Sequence, residues 1–263
     1  MDIALIALLT LIASAVGTVT GFGTSTIMVP LLVAFLPLPQ VLLLVGVIHW
    51  FGDIWKMLLF RSGVQWKLIL LFGGTGIVAT VIGGLLVFQA PEGVLARALG
   101  AFLLAYVVFV FIKPRFRIPQ TMPTALSGGA LYGLSAGIFG VGGAVRGAFL
   151  AAYDLPKAVY IFTSGAIGLV VDSGRIVTYW SQGAQFETRL LWGLLLFVPV
   201  SFAGAKIAER IVERIPQDRF RLVVAVFLGL VALQLLLFPT ATRPAAGSET
   251  TGTSFGNEMS AAV

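Results

Sequence analysis

Between Ile3 and Leu36 the chain reads IALIALLTLIASAVGTVTGFGTSTIMVPLLVAFL, an apolar run interrupted near its centre by Gly21-Phe22-Gly23-Thr24-Ser25. A bilayer core of about 30 Å is crossed by roughly 20 helical residues, and as one helix this run would measure about 50 Å. It is therefore too long for a single pass, and splitting it at the glycines predicts two half-length helices. A second run, Thr124 to Ala152, is interrupted in the same way at Gly140-Val141-Gly142-Gly143-Ala144.

Outward from these two segments, six ordinary spans are predicted: Val41 to Phe60, Leu68 to Phe88, Val94 to Ile112, Ala158 to Tyr179, Leu190 to Ile207 and Phe220 to Phe238. The composition agrees, with 58% hydrophobic and 11% charged residues and a mean hydropathy of +1.01. Soluble domains carry about 25% charged residues, so the main solvent here is lipid. The net charge of +6 resides in short loops, where it signals topology rather than nucleic-acid binding. The absence of cysteine excludes disulfides, thiolate nucleophiles and Cys-ligated metals. Met1-Asp2 lacks the basic start of a cleavable signal, so the first run is expected to be mature structure. From Pro239 to the end the chain is rich in Ala, Thr, Ser and Gly and is expected to be a disordered tail.

The order of features recurs. Leu38-Pro39-Gln40 matches Leu155-Pro156-Lys157, and Gly63-Val64-Gln65-Trp66 matches Gly183-Ala184-Gln185-Phe186, at an offset of about 117 to 120 positions. A broken helix followed by three spans, twice over, is the layout of a secondary transporter with its site between the halves. The positive-inside rule tests whether the broken segments cross or turn back. If both turn back, one side collects Lys56, Arg61, Lys67, the three basic residues from Lys113 to Arg117, Lys157 and the five from Lys206 to Arg221. The other side then holds only Arg97, Arg175, Arg189 and Arg243. If both cross, the bias falls to nine against seven. The re-entrant arrangement wins, and it gives each half three crossings, inverts the second half and puts both termini outside. The expected architecture is an all-α polytopic membrane protein, an inverted repeat of a re-entrant helical hairpin plus three transmembrane helices. Its parts are an N-terminal repeat (1–113), a cytoplasmic linker (114–123), a C-terminal repeat (124–238) and the tail (239–263).

At the glycine tips the sequence resembles the sulfite exporter TauE/SafE family of membrane permeases, whose members carry a Gly-rich motif and an apolar run in each half. Here these are Gly21-Phe-Gly-Thr-Ser-Thr-Ile-Met-Val-Pro30 and Gly137-Ile-Phe-Gly-Val-Gly-Gly-Ala-Val-Arg146. The resemblance spans about Ile3 to Phe238 and implies export of sulfite or organosulfur anions such as sulfonates. Thr24 and Ser25 replace the glycine with which the family often continues, and Phe149 stands where proline is frequent.

A hairpin whose second limb starts mid-membrane aims a helix N-terminus inward, and such ends attract anions. Gly21, Gly23, Gly140, Gly142 and Gly143 would let an oxyanion approach the backbone, and the hydroxyls of Thr24, Ser25 and Thr26 would add donors. The alternative is that the glycines only permit close helix packing and the hydroxyls bond their own backbone. Arg146, a few residues beyond the second tip, either grips the substrate or pairs with Asp53 or Asp172. His49, Asp53 and Lys56 share one helical face, and Asp172 and Arg175 form an i, i+3 pair in the other half. His49, Asp53 and Asp172 are candidates for proton coupling, against the alternative of pairs neutralising one another near span ends.

Two patterns point elsewhere. Gly133-Leu-Ser135-Ala-Gly137 matches a serine-nucleophile elbow, but it lies inside an apolar helical run rather than at a strand-to-helix turn. Gly76, Thr80 and Gly84 have the spacing of a packing seam, within the chain or between two copies. Taken together, the residues predict a secondary transporter in the cell inner membrane that exports a small anion by alternating access. It uses no metal or cofactor and performs no enzyme chemistry; an anion channel and, more distantly, an intramembrane serine protease are the alternatives.

Overall fold

The computed structural model describes residues 2–33, 35–61, 63–87, 119–153 and 155–216, with residues 94, 101, 104, 105, 108, 109, 112 and 233. Eight helices and no strand occur among them: α1 (Ile3–Thr20), α2 (Ser25–Leu32), α3 (Leu38–Leu59), α4 (Trp66–Val87), α5 (Met122–Phe139), α6 (Gly143–Ala152), α7 (Lys157–Ser181) and α8 (Thr188–Arg214). Five of these, α1, α3, α4, α7 and α8, are long and apolar enough to cross a membrane. Most of the spans expected at Val94–Ile112 and Phe220–Phe238, half of the linker and the whole tail lie outside the described residues.

Local chemistry sets the helix ends. Asp2 accepts a hydrogen bond from the Ala4 amide at the start of α1 (3.3 Å), and Pro37 and Pro156 precede α3 and α7, where a missing N–H costs nothing. α1 ends at Gly21 (φ 74°) and α5 at Gly140 (φ 67°), both in the left-handed region that glycine enters without strain.

Both broken segments fold back on themselves. Thr10 on α1 lies 3.9 Å from the Met28 sulfur on α2, and Gly17 abuts Gly23 and Thr24, so α2 returns along α1. In the second hairpin Gly142 abuts Ala136, Phe149 meets Gly128, and the Tyr153 hydroxyl is 3.4 Å from that of Thr124. The limbs are unequal, which corrects the expectation of two half-length helices. α1 and α5 have 18 residues each, about 27 Å, whereas α2 and α6 have 8 and 10. The glycines sit beyond the centre of each run, so the first limb takes most of it.

Helices α3 and α7 pack antiparallel: Gly46 faces Arg175 and Ile176, His49 faces Asp172, Asp53 faces Gly168, and Lys56 faces Gly165. Helices α4 and α5 pack parallel along a seam of small residues. A Cβ added at Gly129, Gly133 or Gly137 would meet the carbonyl oxygen of Phe72, Gly76 or Thr80 respectively. The stripe Gly76, Thr80, Gly84 is thus a seam inside the chain. The third strong pair is α1 with α8, where Gly204 presses on the Leu11 carbonyl and Ser14 donates to the Ser201 carbonyl (2.6 Å).

Two apolar cores result, one including Ile6, Met28, Leu42, Ile48 and Phe197, the other Phe60, Phe72, Tyr132, Ile161 and Val171. On α3 and α7 the residues between those cores are charged.

Candidate anion site

Five charged side chains and the single histidine are buried together between the two cores: His49, Asp53 and Lys56 from α3, Asp172 and Arg175 from α7, and Arg146 from α6, none more than 2% exposed. Burying charge in a membrane protein is costly unless each charge is paired, and here they form a chain of contacts. Lys56 Nζ donates to Asp53 Oδ1 at 2.6 Å; Arg175 Nη2 stands 3.1 Å from Asp172 Oδ1. His49 joins the two pairs, with Nδ1 3.1 Å from Asp172 Oδ2 and Nε2 3.5 Å from Asp53 Oδ1. Arg146 Nη1 lies 3.9 Å from Asp53 Oδ2. The expected pairs Asp53–Lys56 and Asp172–Arg175 both exist, with Lys56 in the last turn of α3, and they are buried as parts of one cluster. Lys56 and Arg175 therefore do not belong among the loop charges used for orientation, and removing one from each side leaves the bias intact.

The two arginines also hold the hairpin tips. Arg146 Nη2 donates to the Gly21 carbonyl (3.3 Å), which also accepts from Ser164 Oγ (2.6 Å), and Arg175 Nη1 donates to the Gly140 carbonyl (2.8 Å). Tyr160 donates to the Thr20 carbonyl (3.0 Å) and Tyr179 to that of Gly137 (2.6 Å). The C-terminal carbonyls of α1 and α5, which lack partners within their helices, are thus satisfied from α6 and α7. The Arg146 guanidinium additionally lies 5.0 Å over the Tyr132 ring and donates to its hydroxyl at 2.9 Å.

The tips touch each other and the cluster. A Cβ at Gly143 would strike the Phe22 carbonyl, one at Gly23 would strike His49 Nε2, and one at Gly168 would strike both Asp53 Oδ2 and Arg146 Nη1. Here glycine provides room for backbone and ion pairs. Both α2 and α6 begin at the tips with no side-chain cap. Thr24, Ser25 and Thr26 are buried (2%, 1% and 1% exposed), and their hydroxyls have no hydrogen-bond partner among the described residues. They therefore do not bond their own backbone, the alternative that the sequence left open.

All the singled-out residues converge on this region: Gly21, Gly23, Thr24, Ser25 and Thr26 at one tip, Gly140, Gly142, Gly143 and Arg146 at the other, and His49, Asp53 and Asp172 beside them. Sequence reasoning set Lys56 and Arg175 aside as neutralising partners and missed Tyr132, Ser164 and Gly168. The repeated Asp-x-x-Lys and Asp-x-x-Arg, 119 positions apart, was the available signal for the first two. For Tyr132, Ser164 and Gly168, contacts across 14 to 143 positions leave none.

Ligand atoms of His49, Asp53 and Asp172 lie within 4.8 Å of one another, a spacing that a cation site would share. Lys56, Arg146 and Arg175 already neutralise those carboxylates and would repel a metal ion, so the donor set does not fit one. Three cations oppose two carboxylates, leaving one positive charge in excess before His49 is counted. Such a centre suits an anion. Ser135, by contrast, donates to the Leu131 carbonyl within α5 (2.8 Å), and its flanking Gly133 and Gly137 belong to the α4 seam.

No curated protein and no solved structure matches the chain. The family model described as sulfite exporter TauE/SafE matches residues 6–235, a stretch that contains both hairpin tips and the whole charge cluster, and the chain belongs to that family of integral membrane transporters of sulfur anions.

Proposed function

We propose that this protein exports sulfite or a sulfonate across the cell inner membrane by alternating access around the buried cluster where the two hairpin tips meet. The observation that carries the proposal is the excess positive charge of that cluster beside three buried hydroxyls that have no partner among the described residues. A tetrahedral or pyramidal oxyanion offers acceptors to those hydroxyls, to the uncapped starts of α2 and α6, and to the Arg146 fork. The substrate-binding set is Arg146 with Gly21, Gly23, Thr24, Ser25, Thr26, Gly140, Gly142 and Gly143; His49, Asp53 and Asp172 couple the movement to protons.

An inverted repeat supports alternating access. Ile3 and Met122, Gly21 and Gly140, and Leu38 and Lys157 are each 119 positions apart, so helix starts and tips repeat in register. The repeated helices α3 and α7 run antiparallel, and partners exchange between halves: α4 packs on α5, the counterpart of α1, while α1 packs on α8, the counterpart of α4. Two such halves can rock about a fixed central site.

The test is uptake into proteoliposomes of sulfite, sulfate, sulfonates and carboxylates, with and without a pH gradient. Sulfite and sulfonates are expected to be preferred at carrier rates; uncoupled flux far above those rates would establish a channel instead. Arg146→Lys keeps the charge but loses the planar fork, removing a charge-assisted contact of about 1.5–3 kcal/mol and weakening binding about ten- to hundredfold. Unchanged affinity in that variant would remove Arg146 from the binding set.

A further inference from the structure

Both nitrogens of His49 face a carboxylate oxygen, Asp172 Oδ2 from Nδ1 (3.1 Å) and Asp53 Oδ1 from Nε2 (3.5 Å). No other polar group satisfies either nitrogen among the described residues. A neutral imidazole carries one N–H and can serve only one of these oxygens, setting the other nitrogen's lone pair against a carboxylate. An imidazolium serves both. Around His49 stand Asp53 and Lys56 on its own helix, Asp172 and Arg175 on α7, Arg146 on α6 and, behind Arg146, Tyr132 on α5. The adjacent first tip contributes backbone and hydroxyls but no charge.

The charge count then depends on one proton. With His49 protonated the cluster holds four cations against two carboxylates; with His49 neutral it holds three against two. We propose that the site matches the charge of its substrate through His49, accepting a divalent oxyanion together with a proton and a monovalent one without it. This rests on the anion-site reading above and specifies its substrate class: sulfonates pass as monoanions, and doubly charged oxyanions pass only with a proton on His49. Sulfite, which exists in both charge states near neutral pH, enters either as the monoanion beside neutral His49 or as the dianion beside the imidazolium. Either route moves the same total of one anion and one proton. Because Gly23 sits directly against His49 Nε2, the tip is built to sense which state is present.

Purified full-length protein in detergent is titrated with sulfate, a dianion throughout the range from pH 6 to 8 (about neutral), and with methanesulfonate, a monoanion throughout it. One linked proton makes sulfate affinity fall about tenfold per pH unit from the pKa of His49 in the free protein up to its raised value in the sulfate complex, while methanesulfonate affinity does not fall. The sulfate-to-methanesulfonate affinity ratio therefore drops as pH rises, and His49→Gln flattens that ratio. A ratio independent of pH in the unsubstituted protein, with both anions bound, overturns the inference and leaves the anion site standing. Binding of neither anion overturns both. Should the variant fail to fold, the pH profile of the unsubstituted protein decides alone.

Discussion

Gly168 illustrates how much of the site depends on the smallest side chain. It lies inside α7, where alanine is normally favoured over glycine by about 1 kcal/mol. A Cβ there, however, would occupy the space in which Asp53 Oδ2 and Arg146 Nη1 approach each other. Overpacking of this kind costs about 1–3 kcal/mol, so Gly168→Ala is expected to lower the melting temperature of the purified protein and abolish sulfite uptake. A stable, active variant would show that the ion pair has slack. Arg146 has two duties at this scale, because it caps the Gly21 carbonyl as well as adding positive charge. Truncating it to alanine would remove the donor to the Gly21 carbonyl and the Tyr132 hydroxyl and leave Asp53 to Lys56 and His49, at a cost of about 1–3 kcal/mol of stability, which is why the lysine variant is the cleaner probe.

At the scale of elements, the hairpins are held by the helices around them. α2 and α6 are too short to be stable helices alone in water; α2 is held by α1, along which it returns, and by α3, and α6 by α5, along which it returns, and by α7. The α4–α5 seam fixes the second hairpin's long limb through three glycines that let backbones approach closely. Gly133→Val places branched carbons against the Gly76 carbonyl and is expected to destabilise the protein by about 1–3 kcal/mol, seen as an earlier thermal transition of the detergent-solubilised protein. An unaltered transition would mean that the seam yields. The same glycine was half of a serine-nucleophile pattern in the sequence; its packing role accounts for it without chemistry.

For the whole molecule, one end gathers Gln65, Lys67, Thr121 and Tyr153, with Lys157 donating to the Ile215 carbonyl (2.5 Å), while Asp2 and Arg189 approach each other at 3.8 Å elsewhere. The basic end fits the cytoplasmic face of the proposed topology. Since the chain has no cysteine, single replacements can be labelled without background. Met122→Cys is expected to be shielded from an impermeant maleimide in intact cells and labelled after lysis, and Asp2→Cys to be labelled from outside. Labelling of both from the same side would refute opposed hairpins.

Composition, the two glycine interruptions and the repeat were enough to specify an all-helical membrane protein with two broken segments, because bilayer thickness and helix rise leave few ways to use a 34-residue apolar run. The family resemblance rested on those same tips. Helix ends were legible to within a few residues at Pro37, Pro156 and Gly140, where backbone chemistry is local. Which charges meet was a tertiary matter. Asp53 and Lys56 read equally well as a self-contained neutral pair until antiparallel packing of α3 on α7 brought Asp172 to His49 and the second tip brought Arg146 to Asp53. Spacing along one helix reports a shared face, whereas the sign and sum of charge at a buried centre depend on every element that contributes to it.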